Sequence, residues 1–169
     1  PKAVLLDMDG TGTGAPRELW DHIARLGWTG MLVPQEYGGA GASFLDAAVV
    51  FEQFGKGPLP GPFFSSGVLG ALTVMEAGSS QQRGEVLPAV ARGEQVLTLA
   101  LLEPERRWGP DAVQLQARRD PSTGSGNGPL VLNGVKTFVH DAVAATHLMC
   151  AVSDRDGVSL VLVDTALPG

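Results

Sequence analysis

The chain has 169 residues, 44% hydrophobic and 18% charged, enough apolar material for the core of one large domain or two small ones. Its net charge of −6 is of the wrong sign for a nucleic-acid binder, and no run approaches the roughly 18 consecutive apolar residues of a membrane span. Cys150 is the only cysteine, which excludes an internal disulfide and a cysteine-built zinc site. With no basic segment ahead of an apolar one to act as a secretory signal, cytoplasmic location is the default expectation.

Val4 to Thr11 reads VLLDMDGT. An apolar run followed by DxDGT is similar to the first motif of haloacid-dehalogenase-type phosphatases, a resemblance that would make Asp7 the nucleophile and Asp9 the acid/base. That fold needs a parallel sheet next, whereas the following ninety residues read helical and no later acidic pair closes a magnesium site. The competing reading is a turn over Asp7 to Gly14, because Asp and Gly favour turns for local hydrogen-bonding and backbone reasons.

Leu19, Ile23 and Leu26 stand at i, i+4 and i+7 between Pro16 and Gly27, which predicts a first helix. Ser43 with Asp46 three residues on forms a capping-box pattern and starts a second, to Phe54, with Phe44, Ala48 and Phe51 as its stripe. A third is predicted over about Phe63 to Ala77, with Phe64, Val68, Leu72 and Met75 on one face and Gly78 as a left-handed stop. Ser79 with Gln82 starts a fourth that ends near Arg92, and Pro88 inside it should kink or split it.

After Glu94 the period changes. Val96 to Leu102 is an apolar run short enough for a buried strand, Val113 to Ala117 alternates, and Leu130 to Lys136 follows a Gly/Ser/Asn turn. Leu148 to Val152 and Val158 to Val163 predict a hairpin across 154–157. Helices first and strands second argue for segregated modules rather than βαβ units. The expected domains are 1–93, helical, and 94–169, β.

Three blocks then carry a family resemblance: Gly27 to Gly41 (GWTGMLVPQEYGGAG), Leu99-Ala-Leu-Leu-Glu-Pro104, and Leu132-Asn-Gly-Val-Lys-Thr-Phe138. In this order and spacing they resemble the N-terminal and middle domains of the acyl-CoA dehydrogenases. The fold this implies is α+β: an N-terminal all-α helical domain followed by an antiparallel β-barrel-like domain, truncated before a C-terminal helical bundle. The resemblance also implies FAD as cofactor, α,β-dehydrogenation of an acyl-CoA thioester, electron-transfer flavoprotein as a partner, and a homo- or hetero-oligomer. In such enzymes the catalytic base lies on the C-terminal bundle, so no residue here is assigned as catalytic, Glu36, Glu52 and Glu103 included.

The same resemblance places Leu101, Leu102, Phe138, Val139 and His140 against the flavin and assigns Trp108 to substrate binding. Leu102 stands where the family has a hydroxyl residue before Glu-Pro, and a backbone N–H there can still donate. Glu105 to Asp111 (ERRWGPD) replaces the usual Gly-x-Gly-Ser-Asp. Phe138 keeps the aromatic of Gly-x-Lys-x-Trp-Ile-(Ser/Thr)-Asn, His140 replaces its hydroxyl, and Asp141 its amide. A neutral imidazole still donates one hydrogen bond. Each residue has an ordinary alternative: Trp108 as a loop anchor, Phe138 as core, His140 as a polar strand end. Arg106, Arg107, Arg118 and Arg119 suit phosphate oxygens or a solvated face. The histidines have no metal-ligand spacing. The Glu-Pro-x-Arg-Arg-Trp and Lys-Thr-Phe-Val combination looks like a divergent branch of lipid and steroid side-chain catabolism. A flavoenzyme piece and a non-catalytic partner or scaffold subunit both remain open.

Overall fold

Ser43 and Ser79 begin the two longest helices. In this computed structural model, which describes residues 15–57, 59–105, 108–119, 129–154 and 157–167, each serine accepts a hydrogen bond from the backbone N–H three residues on. Asp46 and Gln82 reach back to the serine N–H, which completes both capping boxes. These reciprocal bonds satisfy amide groups that a helix start leaves bare. The helices are α1 (Arg17–Arg25), α2 (Phe44–Lys56), a π-helix (Phe63–Gly70) running directly into α3 (Ala71–Ala77), and α4 (Ser80–Ala91). Among the described residues up to 93 there is no strand, which fits the helical reading and not a phosphatase. Asp7 and Asp9 lie outside the described residues.

The inward faces differ from the expected stripes. Trp20 and Ile23 are the buried residues of α1, and Leu26 is exposed. In α2 the buried residue is Ala47, with Phe51 and Phe54 packed on the core, while Phe44 points outward. The segment from Phe63 opens in π geometry, whose wider turn shifts the period. Phe63, Val68, Ala71 and Val74 therefore face inward, and Phe64 does not. Gly78 is extended (φ −74°, ψ 144°) rather than left-handed. Pro88 sits within α4 without splitting it.

The glycine block from Gly27 to Gly41 is a packing device. Thr29 Oγ1 donates to Ala91 O at 2.7 Å, and the Ala40 and Gly41 amides donate to Gly30 O and Val33 O. A Cβ on Gly39 would lie 2.0 Å from Val33 O, so only glycine lets this loop fold onto itself.

The strands are β1 (Leu97–Ala100), β2 (Ala117–Arg119), β3 (Leu130–Leu132), β4 (His147–Ser153) and β5 (Val158–Asp164). The expected hairpin is present: β4 and β5 are antiparallel in full register. The antiparallel, barrel-like expectation is corrected. β1 pairs parallel to β4 in an open three-stranded sheet of order β1-β4-β5, and β2 and β3 form a separate two-stranded ribbon. One isolated bridge, Gln116 to Ser153, links the two. The sheets neither close nor curl, because β1 leaves its partner after four residues and β3 stops before the Asn133-Gly134 turn. Val113 to Ala117 adds strand only at its end, behind a 3₁₀ turn at Pro110–Ala112.

The main core joins helices to sheet. Val33, Ala71, Val74, Val86, Leu87 and Val90 pack with Leu97 of β1 and Met149 of β4. Each fully buried side chain of this size contributes about 1.5–3 kcal/mol. A second cluster around Trp20, Ile23, Phe63 and Val96 is extended by Phe51 and Phe54, whose rings lie 5.2 and 5.1 Å from that of Phe63.

Candidate functional site

Where β1 ends, the chain runs on through Leu101, Leu102 and Glu103 beside the segment 136–140. Thr137 N donates to Leu102 O at 2.8 Å, Thr137 Oγ1 to Glu103 O at 3.2 Å, and Lys136 Nζ to Leu101 O at 3.3 Å. Further back, Thr98 Oγ1 donates to His140 O at 2.6 Å. The two segments expected to meet the flavin are therefore neighbours, although about 35 residues separate them in sequence.

A buried ion pair locks this junction. Lys136 Nζ lies 2.8 Å from Glu103 Oε1, with only 7% and 10% of the two side chains exposed. The Glu103 carboxylate also accepts from the Leu115 N–H at 2.9 Å and the Gln114 N–H at 3.1 Å. Burial alone would push its pKa up. The Lys136 ammonium and the two amides outweigh that and hold it below its ordinary value. Glu103 is thus an anchored anion, with its oxygens taken by the fold.

The turn after Thr137 is strained. Phe138 (φ 53°) and Asp141 (φ 51°) are both left-handed without being glycine, a conformation that non-glycine residues seldom adopt. The Asp141 carboxylate accepts from the buried Ser65 hydroxyl of the π-helix. Phe138 and His140 are exposed, and Phe138 keeps 65% of its surface open.

Around this turn the remaining site residues divide. Leu101, Leu102 and Trp108 share a cleft of about 300 Å³ with Pro110 and Leu160. Trp108 is 78% exposed, so it does not act as a buried anchor. Val139 lines a different cleft, of about 480 Å³, with Ala100, Lys136 and Cys150. Burial raises the Cys150 thiol pKa. Arg118 is bonded to Gln116 Oε1, and Arg119 likewise has a partner. Arg106 and Arg107 lie outside the described residues. Sequence reasoning missed the anchoring role of Lys136 and the Ser65–Asp141 bond. The lysine stands at a fixed place in its motif and was findable; nothing marked Ser65.

The family model "Acyl-CoA dehydrogenase, N-terminal domain" matches residues 2–94. The chain belongs to the acyl-CoA dehydrogenase family. That match spans Asp7 and Asp9, and it sets the phosphatase alternative aside. The acryloyl-CoA reductase (NADH) of Anaerotignum propionicum is 28% identical over 160 residues, 91% of this chain and 40% of that protein. A variant of the Tcur3481-Tcur3483 steroid acyl-CoA dehydrogenase is 33% identical with a TM-score of 0.74, covering 92% of this chain and 40% of that one. A glutaryl-CoA dehydrogenase from Mycobacterium smegmatis in complex with FADH2 shares the fold, with 24% identity and a TM-score of 0.77 over 99% of this chain and 45% of that one. The acyl-CoA dehydrogenase-like chain described here thus spans about 40% of the length of such relatives.

The residues present fit a flavin at this face in part. Among the described residues neither the Leu101 nor the Leu102 N–H donates a hydrogen bond. The hydroxyl at position 102 is absent, and His140 supplies an imidazole in place of the second. Among the described residues no helix is long and apolar enough to cross a membrane.

Proposed function

We propose that this chain supplies one wall of the flavin site of an acyl-CoA dehydrogenase-like oxidoreductase and acts there as a non-catalytic partner or scaffold. The observation that carries the reading is the engagement of both carboxylates at the site. Glu103 is bound by Lys136 and two backbone amides, and Asp141 by Ser65. A general base must be free to take a proton from the substrate; Glu103 is not, and Asp141 gives one carboxylate oxygen to Ser65. The base comes from residues outside this chain.

In this reading the Leu101 and Leu102 amides meet the polar edge of FAD, Phe138 and Val139 pack on it, and His140 donates to it. When bound, the flavin would accept the hydride that leaves the β-carbon of an acyl thioester as the α-proton is removed. Trp108, with Leu101 and Leu102, lines the cleft that receives part of the acyl-CoA. The division after residue 93, with helices on one side and the flavin wall on the other, belongs to the same proposal. So do a homo- or hetero-oligomeric assembly, an electron-transfer flavoprotein as acceptor and a cytoplasmic setting. A steroid acyl group as substrate rests on the likeness to the Tcur3481-Tcur3483 steroid acyl-CoA dehydrogenase.

A second reading is favoured by the 40% span of the relatives: a section of a complete dehydrogenase whose base lies in further sequence. Both readings put the base elsewhere. Incubation of the chain with FAD, a redox dye and a panel of acyl-CoA thioesters tests the shared claim. No dye reduction is expected. Turnover with any thioester would overturn it. Restored turnover on covalent extension with a family-type C-terminal helical domain would favour the second reading, and turnover only on adding a separate catalytic subunit the first.

A further inference from the structure

The π-helix does more than cross over the sheet. It is the segment that turns two successive serines inward: Ser65 is 2% and Ser66 1% exposed. Ser66 Oγ accepts from the Leu97 N–H at 3.1 Å and so fastens the start of β1. The Ser65 hydroxyl donates to the Asp141 carboxylate, 76 residues away in sequence. π-turns are uncommon and are frequent at functional sites, and a buried hydroxyl must find a partner. This one finds it in the turn that carries Phe138.

That turn is tied to other parts of the chain by polar bonds. Asp141 O accepts from the Ala144 and Ala145 amides at 3.0 and 3.1 Å, Thr98 fixes His140 O, and Ser65 fixes the Asp141 side chain. Its two left-handed residues cost free energy, and Phe138, at 65% exposure, recovers little of it through burial. Strain at an exposed aromatic, over-determined by buried polar bonds from two other elements, points to a presented side chain.

We propose that Ser65 and Asp141 are positioning residues: the π-helix hydroxyl holds the Asp141 carboxylate, and this bond fixes the left-handed turn that presents Phe138 to the cofactor face. The proposal deepens the flavin-wall reading and rests on it. Ser65 itself touches neither cofactor nor substrate; it acts through Asp141 and the turn.

Amide hydrogen exchange on the chain, read residue by residue by NMR, tests the geometry without any cofactor. Ser65→Ala should speed exchange at Ala144 and Ala145 about tenfold, the worth of one charge-assisted hydrogen bond, and leave Val90 of α4 unchanged. Asp141→Ala removes the same bond from its more exposed end and should do likewise, which covers the case that Ser65→Ala does not fold. Asp141→Asn, which keeps an acceptor oxygen and tolerates a left-handed backbone, should restore near-normal exchange. Unchanged exchange in Ser65→Ala, or an equal loss of protection in α4, would overturn the assignment. FAD titrated into the same samples supplies the second arm. Ser65→Ala and Phe138→Ala should each weaken binding, and the double variant no further than Phe138→Ala alone; strictly additive losses would count against the coupling. If the unaltered chain shows no FAD response at all, the flavin-wall reading falls, and the exchange data still decide whether Ser65 holds the turn.

Discussion

Lys136 Nζ lies 2.8 Å from Glu103 Oε1 with both side chains nearly closed to solvent, and the pair joins the end of β1 to the segment that bears Phe138. Removing one partner of a buried pair leaves the other charge unmatched, at about 3–5 kcal/mol. Lys136→Met should therefore lower the unfolding free energy by about that amount in denaturant titrations. The double variant Lys136→Met/Glu103→Leu should recover only part of the loss, because the Leu115 amide would then be buried without its acceptor.

The same carboxylate gives the fold an acid limit. Its folded pKa lies below the unfolded one, so its stabilisation is complete above the ordinary carboxylate range and is lost as pH falls through the lowered value. Asp46, lowered by its bonds to Ser43, acts in the same direction. Thermal melts across the acid range should show Tm falling with pH, with a shallower fall in Glu103→Gln than in the unaltered chain. Parallel curves would show that Glu103 does not carry the dependence.

Gly70 ends the π-helix directly on β1. A Cβ there would sit 2.7 Å from Leu97 Cβ and 3.2 Å from Ser65 O. Gly70→Ala should destabilise by about 1–3 kcal/mol, the usual cost of overpacking. It should also loosen the Ser65–Asp141 bond, seen as faster amide exchange at Ala144 and Ala145.

Much of the helical half was legible because its signals are local. Ser43/Asp46 and Ser79/Gln82 are complete capping boxes within four residues, and both helices begin there. The stripes failed where a non-local feature intervened: the π-helix shifts the period after Phe63, so Phe64 faces out and Val74 in. The sheet was less legible. The β4–β5 hairpin joins two apolar runs across the four residues 154–157, whereas β1–β4 is a parallel pairing across fifty residues with nothing local to mark it. At the site, the motifs brought Leu101 and Leu102 near Phe138 and His140 on paper, and the structure sets those segments side by side. The Glu103 anchor and the Ser65 bond are tertiary. A carboxylate before proline and a serine in a helix reveal no partner in sequence.

Phe138 separates stability from function. Asn accepts the left-handed region more readily than Phe, and most of the Phe138 ring is exposed. Phe138→Asn should keep or raise Tm, by up to about 1 kcal/mol of relieved strain, while weakening FAD binding. A falling Tm would show that Phe138 serves mainly in packing.

The flavin-wall claim is tested most directly by mapping FAD onto the chain through its amide resonances. The account predicts shifts concentrated at Leu101, Leu102, Phe138, Val139 and His140, with a Kd in the micromolar range or weaker. The missing hydroxyl at position 102, at about 1–3 kcal/mol for a lost polar contact, together with the walls this chain does not supply, brings a tight site down to that level. No shifts, or shifts centred on another face, would contradict it.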